Sequence, residues 1–302
     1  MNRVPQHPVL AFTTALAAVA VLSLMDAVMK GLVIALGIYA VSLWRAIVSA
    51  GFGAVLYLPR RKGWPDAATL RIHVFRGAII TVMGVTFFWG LARTPMAQAI
   101  ALTFIAPLIA LFLSVLVLGE KLGRAVVGGS LFAFAGVLVI LLGQAQAELG
   151  RDALLGSAAI LFSAVCYAVN IVLMRKQALA ARPPEITFFQ NLTVAALIIA
   201  ALPLLGPVAW PSGHELAIIA AAGMSTAGLL LFAFAYARGE ASYLSVTEYS
   251  GFAWAAIFGW LFFEEGVSLT TLAGAAMIVG GCVIAARGGR RDPIEPEIEA
   301  VA

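Results

Sequence analysis

Charge is what this sequence has least of. Only 11% of its 302 residues are Asp, Glu, Lys or Arg, where soluble domains carry about 25%. That leaves too little polar material to solvate a water-soluble surface. Cysteine is nearly absent: Cys166 and Cys282 both sit inside apolar runs, so neither a disulfide framework nor a zinc-ligand spacing is available. The three histidines, His7, His73 and His214, read as lying in or beside polar connections, far apart in sequence. That placement argues against a metal centre. The apolar runs also hold no His-Glu-x-x-His, no paired aspartates and no serine with a histidine partner, so an intramembrane enzyme is not expected. No cofactor is implied.

What the chain has instead is apolar length. Hydrophobic residues make up 62% of it, and a helical span needs about 20 of them. Spans read at 9–30, 37–58, 72–92, 96–118, 125–144, 154–174, 186–206, 215–237, 241–263 and 267–287 predict an all-α membrane protein with ten transmembrane helices and short loops. The first run is long enough to be an uncleaved helix rather than a signal peptide. The net charge of +4 does not indicate nucleic acid, because the bases flank spans instead of forming a patch. With the N-terminus cytoplasmic, fifteen Lys and Arg fall on inside segments and three, Lys30, Arg93 and Arg151, fall outside. Both termini are therefore expected inside a cell membrane.

The stretch from Arg93 to Gly143 recurs, degenerate, from Arg238 to Gly288. An offset of 145 carries Glu120 to Glu265, Gly129 to Gly274, Gly136 to Gly281 and Gly143 to Gly288. Glycines seven apart stay on one helix face, drifting about 20° per step, and allow close backbone approach in lipid. A unit of five spans must cross the membrane in the opposite sense when repeated, the plan of many secondary transporters. The expected domains are a first repeat at 1–146, a second at 147–288 and a disordered cytoplasmic tail at 289–302.

The run Leu91-Ala92-Arg93-Thr94-Pro95-Met96-Ala97, then Pro107-Leu108, Leu118-Gly119-Glu120-Lys121, Gly128-Gly129 and Gly136-Val137-Leu138 resembles the EamA repeat of the drug/metabolite transporter superfamily. Ala235-Tyr236-Ala237-Arg238, Phe262-Phe263-Glu264-Glu265 and Gly280-Gly281 match it a second time. The resemblance implies a ten-helix carrier of two inverted halves that works without ATP. Phe252 stands where the first copy has Pro107, so the fourth and ninth helices need not bend alike.

Intramembrane charges are the best pointers to a solute cavity. Asp26 and Lys30, four apart, share a face of the first span; they neutralise one another or act as gate or coupling groups. Arg45 lies on the order of 12 Å inside the second span, too deep to reach the interface easily. It should meet an acceptor, for which Asp26 is the nearest candidate. Glu248 sits deep in the ninth span and must be paired, hydrated or protonated. It either binds the positive end of a substrate, takes a coupling proton, or forms a fixed bridge to Arg45. Its repeat mate is Thr103, beside Phe104 as Glu248 is beside Tyr249. Trp89, Tyr167, Asn170 and Asn191 complete the substrate-binding candidates, aromatic faces with a carboxylate suiting a cationic or zwitterionic molecule. The expected partners are a small organic solute, the lipid bilayer and, through Glu248, protons. Nucleic acid is not expected, and a homodimer is compatible with the sequence. Export of an amino acid, amine or ring-bearing zwitterion is the leading reading. Uptake of a vitamin or adenosyl metabolite is the alternative, and a sensor or scaffold without transport the reading from another class.

Overall fold

The computed structural model describes residues 8–61, 63–106, 108–109, 124–146, 150–236, 238 and 247–288. Ten α-helices lie among them: α1 Pro8–Leu36, α2 Ile38–Tyr57, α3 Ala67–Leu91, α4 Met96–Thr103, α5 Arg124–Gln146, α6 Gly150–Ala180, α7 Pro183–Leu205, α8 Glu215–Tyr236, α9 Ser250–Phe263 and α10 Leu269–Gly288. Among the described residues there is no strand. Six helices are long and apolar enough to cross a membrane by length and composition. The expected tail, Glu120 and Pro107 lie outside the described residues. Helices α1 and α6 run past the spans read from hydropathy. At about 1.5 Å per residue they outreach a hydrocarbon core of about 30 Å, so their ends continue into the interface.

Local chemistry sets the helix boundaries. One residue, Gly37, separates α1 from α2 at φ 81° and ψ 156°, a conformation only glycine adopts without strain. Its N–H still closes α1 on Val33 O at 2.9 Å, and its carbonyl opens α2 by accepting from Val41 N at 3.3 Å. Helix α3 starts at Asp66, whose Oδ1 accepts from Thr69 N at 2.7 Å. These bonds to Thr69 hold the Asp66 carboxyl below its ordinary range. Its stabilisation is therefore present above the unfolded value and lost as pH falls through the lower folded one. Asp66→Ala is expected to lower the melting temperature at neutral pH, and the gap from the parent should close in acid, as thermal unfolding at pH 7 and pH 3 would measure. Ser268 opens α10 in the same way, its Oγ accepting from Thr271 N at 3.1 Å.

The outer surface is apolar: Leu204 is 91% exposed and Leu269 83%, as a lipid-facing surface requires. The interior is built largely from alanine and other small residues, consistent with lipid weakening the usual drive to bury large side chains. Helices pack chiefly in the pairs α5·α10, α3·α6, α1·α8 and α2·α7. Replacing each helix by the one five further on turns α1·α8 into α6·α3 and leaves α2·α7, α4·α9 and α5·α10 unchanged.

The repeated glycines form the α5·α10 seam. A Cβ at Gly136 would stand 2.6 Å from Gly274 O, and one at Gly274 2.6 Å from Gly136 O. Gly281 faces Gly129 O and Ala133, while Gly143 faces Thr270. Low numbers meet high ones, so the two helices run antiparallel with their glycine faces together.

The chain ends of α3 and α8 also match. Arg93 donates to Trp89 O at 3.0 Å and lies 3.8 Å over the Trp89 ring. Arg238 donates to Phe234 O at 3.3 Å and lies 3.5 Å over the Phe234 ring. The α8 end packs Ala235 on Ala11 and Ala15 of α1, whereas Thr94 beside Arg93 meets Lys30 of α1. Those contacts are separated by about 22 Å along α1, which puts the two arginines at opposite ends of the bundle.

Candidate functional site

The middle of the bundle is where α4 and α9 lose regular hydrogen bonding. After Thr103, Phe104 N and Ile105 N reach back three residues, to Ala101 O at 3.2 Å and Leu102 O at 3.4 Å. Pro107 has no N–H to offer Thr103 O, and Leu108 N bonds Ile105 O at 3.1 Å rather than Phe104 O. The Phe104 carbonyl is thus left to accept from Cys282 Sγ at 3.3 Å. In the second half the turn falls at Tyr249, the mate of Phe104, with Phe252 N reaching Tyr249 O at 3.3 Å. Both helices are therefore interrupted at equivalent positions, although only the first has the proline. The two rings meet edge to face at 5.4 Å. Gly251 lies against Val19 and Ile100, near the middle of α1.

Glu248 opens from this break as an exposed side chain. Its charge acts on Tyr249 and also on Tyr167 of α6. Tyr167 is 42% exposed. These two accessible polar side chains, within electrostatic reach of each other, mark the candidate solute site.

A buried polar seam leads away from it between α3 and α6. Arg76, 6% exposed, acts electrostatically on Tyr167 and donates from Nε to Asn170 Oδ1 at 2.8 Å. A second nitrogen donates to Gln177 Oε1. Gln177 Nε2 is 2.6 Å from His73 Nδ1, and His73 Nε2 is 3.2 Å from Glu185 Oε1 in the first turn of α7. Phe189 stacks on the imidazole at 5.0 Å. His73, read as lying in or beside a polar connection, is therefore fully buried within α3. Arg76 is one of the fifteen bases that the orientation count places inside. Its position inside an apolar helix, three residues from His73 on the same face, was the signal that marked it.

The Asp26 and Lys30 pairing is also corrected. Lys30 of α1, 3% exposed, pairs with Glu265 and donates to Thr94 O at 2.6 Å. The second Glu265 oxygen accepts from Met96 N at 2.7 Å, and Phe263 lies 5.0 Å beneath the ammonium. A left-handed turn at Glu264, φ 56°, lets Glu265 N return to Gly259 O at 3.1 Å and brings the carboxylate over Gly259. That conformation is strained for a residue with a Cβ. One ion pair thus joins α1, the α3 to α4 turn and the end of α9. Lys30 and Arg93, next to Thr94, are two of the three bases that the charge count put outside.

Asp26 instead lies within electrostatic reach of Arg45, and Asp26 is the charge that acts on Arg45. Among the described residues Arg45 Nε and Ser49 Oγ, one turn apart on α2, are buried without a hydrogen-bond partner. The remaining candidates are engaged within their own helices or at a helix end. Trp89 is engaged by Arg93 at the bundle end; Thr103 Oγ1 donates to Ile100 O at 2.7 Å; Asn191 Nδ2 donates to Thr187 O at 2.9 Å within its own helix. Among the described residues no group of three or more His, Cys, Asp or Glu could hold a metal ion.

Apolar helices enclosing a minority of buried polar side chains define a multi-pass cell-membrane protein. The chain belongs to the EamA-like transporter family, whose model matches residues 9–142 and again residues 154–287. The family and its named relatives are transporters, not enzymes. The chain is 31% identical over 215 residues to the pseudopaline exporter CntI of Pseudomonas aeruginosa, covering 70% of this chain and 73% of that one. It is 28% identical over 251 residues to the riboflavin transporter of Rhizobium johnstonii, covering 82% and 81%. With the aromatic amino acid exporter YddG of Ancylobacter novellus it shares 28% over 237 residues, covering 76% and 79%. A solved crystal structure has the same fold with TM-score 0.62 at 24% identity, covering 94% of this chain and all of that one.

Proposed function

We propose that the protein is a secondary carrier that moves a small organic metabolite through the site marked by Tyr167 and Glu248, by alternating access. The observation that carries this reading is the meeting of Phe104 and Tyr249, repeat mates at which α4 and α9 both break, beside an accessible carboxylate. Interrupted helices free backbone groups for a solute where continuous ones would not. The helix pairing that maps onto itself five helices on, and the placement of Arg93 and Arg238 at opposite ends, support two inverted halves at 1–146 and 147–288 with cytoplasmic termini.

In this reading the Lys30 and Glu265 pair closes the extracytoplasmic end, and Glu248 carries the coupling proton or the positive end of the solute. Export of an amino acid, amine or zwitterion is the direction proposed; two of the three relatives named above are exporters. The riboflavin transporter among them supports uptake as the second reading. Proteoliposomes with an imposed pH gradient provide the test, with labelled amino acids, polyamines and riboflavin as solutes. The parent protein should move at least one of them with a rate that depends on the gradient, and Glu248→Gln should lose that dependence. Full transport with unchanged pH dependence in the variant removes Glu248 from coupling, and no flux of any solute removes the carrier reading.

A further inference from the structure

The polar seam between α3 and α6 has a counterpart that reveals what it adds. The offset of 145 that relates the two family matches carries His73 to Ile218, Arg76 to Ala221, Met25 to Asn170 and Leu32 to Gln177. Those mates lie in the α1·α8 pair, and Ile218, Ala221, Met25 and Leu32 are all buried there, 2%, 0%, 9% and 3% exposed. The same packing position is thus filled once by apolar side chains and once by a guanidinium with two amides and an imidazole. The apolar version packs without difficulty, so helix pairing does not call for the polar one. Placing charge in such a setting is costly, and helix packing alone gives no return for it.

The chemistry of the seam indicates that role. Arg76 is held by Asn170 Oδ1 and Gln177 Oε1, both neutral amides. They fix the orientation of the guanidinium through Nε and one terminal nitrogen without neutralising it. Arg presents five donors in a planar fork suited to carboxylates. His73 and Gln177 brace the seam from the side of Glu185, at the start of α7. On the other side Arg76 holds Asn170, one turn from the accessible Tyr167 on α6, and Glu248 lies within electrostatic reach of the same phenol. Two opposite charges therefore flank one accessible phenol, the arrangement that a molecule with opposite charges of its own would complement.

We propose that Arg76 is the anchor for a substrate carboxylate, with Glu248 receiving an ammonium group where the substrate has one, so that this carrier takes carboxylates and above all zwitterions. The proposal rests on Tyr167 and Glu248 marking the solute site and narrows its substrate class. Tyr167 spans the two poles, and Asn170 and Gln177 are positioning residues for the guanidinium.

The test uses matched ligands on the purified full-length protein: L-phenylalanine, L-histidine and L-lysine, their decarboxylated amines phenethylamine, histamine and cadaverine, and 3-phenylpropionate. Binding is read by thermal shift and isothermal titration. At least one acid-bearing ligand should bind about tenfold or more tightly than its amine. Arg76→Gln should erase that difference, and Arg76→Lys should retain part of it. Asn170→Asp tests the site without removing the guanidinium, because a fixed carboxylate at nearly the same volume should occupy Arg76 and displace the ligand's. Equal binding of an acid and its amine, absence of binding across the whole panel, or an undiminished preference in a folded Asn170→Asp protein overturns the proposal. Flux separates it from the carrier reading: acids that bind but never cross leave the anchor standing and remove the carrier, and amines that alone cross do the reverse.

Discussion

Glu265→Ala is expected to destabilise the protein by about 3–5 kcal/mol, the cost of removing one partner of a buried ion pair. Lys30 is 3% exposed and lies against Phe263, so its ammonium would be left with Thr94 O alone. Met96 N, in the first turn of α4, would lose its acceptor as well. The double change Lys30→Met with Glu265→Met should recover most of the loss, since replacing both members by apolar groups of similar volume is often neutral. Thermal unfolding in detergent of the parent, Lys30→Met, Glu265→Met and the double variant closes a cycle. Its coupling is expected in the upper part of roughly 0.5–3 kcal/mol. A Glu265→Ala protein that melts with the parent would mean that this pair does not hold the end of the bundle.

The pair also separates what the sequence discloses from what it hides. That the family model matches twice, at 9–142 and 154–287, was legible in the glycines and in the arginines at an offset of 145, because such features depend on helix period, which is local. The same applies to the ten helices: their existence follows from apolar length, while the ends of α1 and α6 do not, since nothing in hydropathy marks where an apolar helix leaves the bilayer. Partners across the bundle are a different matter. Asp26 lies one turn from Lys30 and Glu265 lies 235 positions away, so proximity in sequence favoured the wrong carboxylate. Glu265 gains the ion pair because the left-handed turn at Glu264 brings it back over Gly259. Arg76 was hidden for another reason. Near the start of a span, an arginine that reports orientation and one buried against amides look alike until α6 is placed beside α3.

The glycine seam allows a test in which one substitution changes sign along a single helix. Gly→Ala within a helix ordinarily stabilises by about 0.5–1 kcal/mol by reducing backbone entropy. Gly128 of α5 has nothing within 4 Å of where a Cβ would stand, so Gly128→Ala should show that gain. Gly136, eight residues on, has Gly274 O 2.6 Å from the same point, and Met277 and Ile278 close by. There the added methyl must push α10 away, and overpacking of this kind costs about 1–3 kcal/mol. Lipid supplies little hydrophobic drive to hold the helices together once they separate. Gly136→Ala should therefore lower the melting temperature while Gly128→Ala raises it. Gly136→Ala combined with Gly274→Ala should cost less than the two changes summed, because the second methyl enters a seam the first has already opened. Equal shifts at Gly128 and Gly136 would show that contact between the two backbones contributes little, and that these glycines recur for a reason other than packing.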